Sequence, residues 1–160
     1  HEPDRGRAIR GGMEEKILDQ AGLPRVLADA DYALVEGARD AMEMAYAPYS
    51  KYKFGACVRA TDGKLYKGCN VGNASFGMTI CAERNAMTTA VTEGMKAIDA
   101  IAIAADGPMP YPCGACRQFM RECAKDMKVI LVNGDNIKAT TLQTLLPDSF
   151  GPESIEEVNA

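Results

Sequence analysis

Phe54-Gly55-Ala56-Cys57-Val58-Arg59-Ala60-Thr61-Asp62-Gly63-Lys64-Leu65-Tyr66-Lys67-Gly68-Cys69-Asn70 is the stretch on which the architecture turns. Two runs, Phe54 to Thr61 and Lys64 to Asn70, flank Asp62-Gly63, and Asp-Gly readily supplies the positive φ angles that a tight hairpin turn demands. The reading is a pair of antiparallel strands. Upstream, Leu34, Val35, Ala38, Ala41, Met42 and Ala45 recur at helical spacing, with Asp29 or Asp31 as the cap and Ala47-Pro48-Tyr49-Ser50 as the stop. Downstream, a helix is expected from about Ala82 to Thr92, ended by Gly94, then a strand at Ile98 to Ala104. A proline-punctuated loop leads to a second helix at about Gly114 to Lys125 and a strand at Val129 to Val132. Ile137 to Thr141 is expected as a final edge strand, with a helical turn at Leu142 to Leu146.

The order β-β-α-β-α-β implies a mixed sheet with helices on its faces, and right-handed crossovers make the later strands parallel neighbours. The chain has 160 residues and 47% apolar content, enough for one well-buried core. Residues 1–29 read as a polar extension with a short helix around Met13 to Gln20, residues 30–152 as the main domain and residues 153–160 as a tail. Met13 is a candidate natural start, the dozen residues before it being an added leader.

A net charge of −4 and a pI near 5.1 provide no broad positive field for nucleic acid, so small-molecule chemistry is favoured. No stretch approaches the roughly 18 apolar residues of a membrane span, and the polar opening lacks a signal-peptide core. Six cysteines scattered through helices and strands, two of them as Cys-x-x-Cys, fit metal or redox work in a reducing compartment, hence the cytoplasm.

The chemistry is concentrated in Cys81-Ala82-Glu83-Arg84 and Pro112-Cys113-Gly114-Ala115-Cys116-Arg117. A structural zinc takes four protein ligands, whereas a catalytic zinc takes three and keeps one position open. Cys81, Cys113 and Cys116 supply three, each at or near a helix start where the dipole favours a thiolate. His1, the single histidine, lies at the far N-terminus. Cys57, Cys69 and Cys123 read as small buried hydrophobes, although Cys69 or Cys123 could close the tetrahedron of a structural zinc in a binding module. Glu83, two residues after Cys81, stands where a proton shuttle belongs. Arg84 is the group to offset the negative charge of three thiolates by donating to sulfur.

These motifs, with Ala45-Tyr46-Ala47-Pro48-Tyr49-Ser50-Lys51, Gly68-Cys69-Asn70 and Leu145-Leu146-Pro147-Asp148-Ser149-Phe150, make the chain resemble the small cytidine deaminases from Arg39 to Pro152. The resemblance implies a three-layer α/β/α sandwich with a mixed five-stranded sheet, a homotetramer, and one Zn2+ per subunit. It implies hydrolysis of cytidine or 2′-deoxycytidine to the uridine form plus ammonia, in pyrimidine salvage. By position it puts Tyr52, Asn70, Ala82 and Phe150 at the substrate: Asn70 against the ribose, Tyr52 along the base, Phe150 reaching into a neighbouring subunit's site. Gly72 departs from the pattern, which places there a glutamate that accepts a hydrogen bond from a ribose hydroxyl. A hydrogen bond to a charged group is worth about 1.5–3 kcal/mol, so Gly72 means either a weaker grip on the ribose or a site for a modified sugar, as in the related blasticidin S deaminases.

Overall fold

The computed structural model describes residues 7–10, 13–22, 26–95 and 97–159. The hairpin forms as expected: β3 (Phe54–Ala60) and β4 (Leu65–Cys69) pair antiparallel from Gly55↔Cys69 to Arg59↔Leu65. Gly63 takes φ 91°, the left-handed region that L side chains avoid, and the turn is tied by Gly63 N–H donating to Ala60 O and Lys64 N–H donating to Asp62 Oδ1. β5 (Ile98–Ala105) joins the other side of β3 antiparallel, and β6 (Lys128–Asn133) lies parallel to β5 across the helix that links them.

Beyond β6 the sheet departs from expectation. β7 (Asn136–Thr141) is not an edge: β2 (Met13–Leu18) pairs with it in parallel, and β1 (Arg7–Arg10) pairs with β2. The sheet therefore has seven strands in the order β1-β2-β7-β6-β5-β3-β4, where five were expected. The short helix expected at Met13 to Gln20 is the strand β2. An isolated six-residue run is too short for its own periodicity to decide; the open edge of β7, with unpaired backbone groups, decides it.

The alternation along the central strands explains the two layers of helix. Ile101, Ile103, Val129 and Leu131 face one way, against α2 (Ala82–Thr92) and α3 (Gly114–Cys123). Ala100, Ala102, Ala104, Ile130 and Val132 face the other, against α1 (Asp29–Glu43). The result is a three-layer α/β/α arrangement around a mixed sheet. The small residues on the α1 side let that helix ride close: a Cβ on Gly55 would fall 2.1 Å from Ala38 O, and one on Gly37 would fall 2.6 Å from Cys57 Sγ.

Helix α1 is capped by Ala28, not by Asp29 or Asp31, and has no side-chain cap. Asp31 is instead turned inward, 3.1 Å from Arg59 Nη1 and 2.7 Å from Lys128 Nζ, so the charge pairing of a buried carboxylate outbids a capping role. Helix α2 ends as expected at Gly94, whose φ of 89° lets Gly94 N–H reach Val91 O and Met95 N–H reach Ala90 O. Past β7, α4 (Leu142–Leu145) is the predicted turn, and residues expected as a tail form α5 (Pro152–Asn159).

Candidate active site

Two helix starts meet at one end of the sheet. The loop after β4 is closed by reciprocal bonds between Val71 and Ile80, and this delivers Cys81 as the N-cap of α2. Beneath it, Gly68 lets α2 lie directly on β4, since a Cβ there would stand 2.2 Å from Ala86 N. Asn85 Nδ2 fastens the helix further by donating to Cys69 O at 3.0 Å. Cys113 is the N-cap of α3 and Cys116 lies in its first turn. Arg117 anchors that helix start, its Nε donating to Pro112 O and its Nη1 to Leu145 O, both at 2.7 Å.

All three cysteines line one cavity of about 280 Å³ together with Glu83, Ala82, Asn70, Tyr52 and Phe54, so seven of the expected site residues converge there. Ser50, Thr79, Ile80 and Tyr111 complete the lining. Sequence reasoning gave no site role to these four or to Phe54, although Ser50 stands in one of the motifs that carry the resemblance and Ile80 and Tyr111 directly precede the two ligand motifs. Phe150 is not part of this lining: it is 60% exposed, on a segment held to α3 by Gln118 Nε2 donating to Phe150 O and by Arg121, which pairs with Ser149 Oγ and Glu153.

The electrostatics are those of a thiolate site. Cys81 is held down at about 5, chiefly because Cys116 donates to it, with Arg84 and Cys113 adding to the effect against the cost of burial. Cys116 is pushed up, because it is the donor in that bond and because it is buried. Arg84 Nη2 reaches Cys81 Sγ at 3.4 Å, the sulfur contact expected of it. Its buried Nε has no partner, a donor left over beside sulfurs that can accept. Glu83 is only 6% exposed, and burial, reinforced by the Cys81 charge, raises its carboxyl above the usual range.

Among the described residues no group of three or more His, Cys, Asp or Glu side chains is already drawn together at metal-binding geometry. The donor chemistry fits zinc nonetheless: three soft ligands at two helix N-termini, one already favoured as thiolate, with an arginine to offset the charge. A fourth sulfur is not at hand. Cys69 directs its Sγ to Met44 O, and Cys123 closes α3 seven residues after Cys116, roughly 10 Å along the axis at 1.5 Å per residue. The structural-zinc alternative therefore lacks its fourth ligand.

Asn70 uses its side chain locally: Oδ1 accepts from Phe54 N–H and Nδ2 donates to Tyr52 O. One N–H and one lone pair remain for a ligand. Tyr52 packs on Phe54 with ring centroids 4.1 Å apart and donates to Pro108 O at 2.7 Å. Gly72 lines a second cavity, of about 300 Å³, beside the first.

Comparison with known proteins agrees with this geometry. Residues 28–133 match the family model described as the cytidine and deoxycytidylate deaminase zinc-binding region. A cytidine deaminase of Sporosarcina psychrophila is 46% identical over 126 residues, covering 76% of this chain and 92% of that protein. One of Halalkalibacterium halodurans is 45% identical over 128 residues, covering 78% and 96%. Among solved structures, cytidine deaminase from Burkholderia pseudomallei superposes with a TM-score of 0.72 at 42% identity, over 78% of this chain and 100% of that one. The Mycobacterium tuberculosis enzyme gives 0.66 at 33% identity, over 78% and 99%.

Proposed function

This chain belongs to the cytidine and deoxycytidylate deaminase family, and from that premise we propose that it hydrolyses cytidine and 2′-deoxycytidine to uridine and 2′-deoxyuridine with release of ammonia. The observation that carries the reading is a buried Glu83 in the same cavity as Cys81, Cys113 and Cys116, its carboxyl raised above the usual range by burial. Cys81, Cys113 and Cys116 would hold the zinc, whose chemistry there would be to acidify water and so supply a nucleophile at neutral pH. Glu83 takes the two protons of the attacking water in turn, passing the first to the ring nitrogen and the second, lost as the carbonyl forms, to the departing amine. Its burial serves that double duty, because a carboxyl raised toward neutrality can both accept and donate. Arg84 keeps charge on Cys81 balanced, and Ala82, Tyr52 and Phe54 wall the flat base. Asn70 offers its remaining polar capacity to the sugar.

The substrate is a nucleoside more than a nucleotide. No lysine or arginine lines either the catalytic cavity or the cavity beside it, so a phosphate would enter without a cation. Residues 30–152 form the catalytic unit. A homotetramer accords with the exposed Tyr46, Tyr49, Phe76, Met78, Ile80 and Phe150, too much apolar surface near one site to leave in water, with Phe150 entering a neighbour's site. A cytoplasmic setting in pyrimidine salvage accords with six free cysteines.

The test is an absorbance assay of deamination over cytidine, 2′-deoxycytidine, deoxycytidylate and blasticidin S, with zinc measured on the same sample. Turnover of the two nucleosides with about one zinc per chain is the expected result. Preference for blasticidin S by orders of magnitude would replace the substrate, and full activity without zinc would end the mechanism.

A further inference from the structure

We infer that Tyr111 is a specificity-determining residue: it partitions the catalytic cavity from a larger one behind it, and so limits the group that a cytosine base can carry on its 4-amino nitrogen or on the adjacent C5. This rests on the proposed deamination and narrows the substrate class of the same site. The larger cavity, of about 480 Å³, is walled by residues 18–22 of the N-terminal extension, by Met109 and Tyr111, and by residues 136–138 of β7. Among the described residues, Tyr111 is the one that it shares with the catalytic cavity.

The chain itself fixes which end of the base meets this partition. Tyr111 precedes Cys113 by two residues, at most about 7 Å of backbone, so it stands where the reacting carbon must lie. Asn70, offered to the sugar, borders the Gly72 cavity instead. A substituent on N4 or C5 is therefore directed at Tyr111, and one on the ribose is not. Without the tyrosine ring, the 280 Å³ in front of it would gain the 480 Å³ behind it, where Leu18 and Met109 offer apolar wall to an alkyl group. The chemistry is unchanged by such a group. On an N4-alkyl base, water adds to C4, the C4–N4 bond breaks, and the alkylamine leaves with the second proton from Glu83 where ammonia otherwise would.

A half-exposed tyrosine on a loop is ordinarily free to swing aside, but Tyr111 is held from both sides. Pro110 and Pro112 flank it, the first with a fixed φ and the second disfavouring helical backbone at the tyrosine itself. Tyr111 N–H donates to Met109 O at 2.9 Å. Beyond the backbone, Lys138 Nζ donates to Tyr111 Oη at 3.1 Å and lies 5.1 Å from the ring centroid, a cation–π contact as well as a hydrogen bond. Lys138 sits in β7 opposite Leu131 of β6, so the ring is tied to the sheet. Lys138 is thus a positioning residue, acting on the substrate through Tyr111.

The experiment measures kcat/KM of the zinc-loaded wild type, Tyr111→Ala and Lys138→Met for cytidine, N4-propylcytidine and 5-propynylcytidine, with thermal melting of each protein. The wild type should turn over at least one of the two analogues at least about tenfold more slowly than cytidine. For that analogue, Tyr111→Ala should raise the analogue-to-cytidine ratio by at least about tenfold. Lys138→Met should raise it by about 2–5-fold, the worth of one exposed cation–π contact, with no fall in melting temperature. A lysine of merely structural role would lower the melting temperature and leave the ratio alone. Wild-type rates on both analogues within about tenfold of cytidine, or a ratio unmoved in a folded Tyr111→Ala or in Lys138→Met, would each overturn the inference. The wild-type and Lys138→Met measurements stand even if Tyr111→Ala fails to fold. Absence of turnover on cytidine itself would instead end the proposed reaction, so the two failures are distinct.

Discussion

Replacing Glu83 with Gln tests the centre of the mechanism with the smallest change of shape. The amide keeps the length and polarity of the side chain but cannot shuttle a proton. General acid–base catalysis contributes about 10²–10⁴-fold, so kcat for cytidine should fall by that factor, equivalent to about 2.7–5.4 kcal/mol at 1.36 kcal/mol per decade. Because Glu83 is only 6% exposed, no outside buffer base is positioned to restore the rate. A stability measurement separates this loss from misfolding. Burial raises the Glu83 carboxyl above its ordinary value, so the folded state binds that proton more tightly than the unfolded state does. The stabilisation is complete below the unfolded value of about 4.3 and is lost as pH rises through the folded value. Metal-free Glu83→Gln suffers no such loss, so at pH 7 it should melt at or above the temperature of the metal-free wild type, and the difference should close in acid. Steady-state absorbance kinetics, zinc content and thermal melting on matched samples make the test. A variant that keeps its zinc and retains kcat within tenfold would refute the proton-shuttle role.

Three further outcomes are expected. Arg84→Met removes the donor 3.4 Å from Cys81 Sγ and should weaken zinc retention or kcat/KM by about 10–100-fold, read by competition with a chelator and by kinetics. Cys57 is buried under α1 with its thiol pushed up to about 11, so the stability it gives is full below the unfolded thiol value of about 8.5 and is lost as pH rises through about 11. Urea unfolding from pH 8 to 11 should show the wild type losing that margin while Cys57→Ala does not. Gly68→Ala forces a methyl against the backbone of Ala86 and should cost about 1–3 kcal/mol, or about 2–4 °C of melting temperature per kcal/mol. Because α2 carries Cys81, zinc content should fall with it.

The comparison of sequence and structure shows what kind of information each carries. Asp62-Gly63 marked the hairpin because Gly63 takes a φ of 91° that L side chains avoid, and Gly94 marked the end of α2 for the same reason. The ligand set was legible because Cys81 and the Cys113/Cys116 pair sit at helix starts, positions that capping and breaker residues announce locally. Met13–Leu18 was not legible, since a six-residue run takes its conformation from its neighbour, and its neighbour is the far-off edge of β7. Asp31 misled for a related reason. A carboxylate in a first helical turn looks like a cap until Arg59 and Lys128, distant in the chain, are seen to claim it.

By itself, then, the sequence determined the chemistry of this protein: three thiols, one acid and one arginine at spacings that local helix geometry converts into a site. Tertiary structure alone decided the rest. It alone raised the Glu83 carboxyl above its ordinary range, because desolvation depends on what else is packed around it. It alone brought Ser50, Thr79, Ile80 and Tyr111 to the cavity and opened space beside Gly72, because volume is set by residues far apart in the chain. Short-range rules fix dihedrals and spacing, whereas burial and cavity shape are sums over the whole fold.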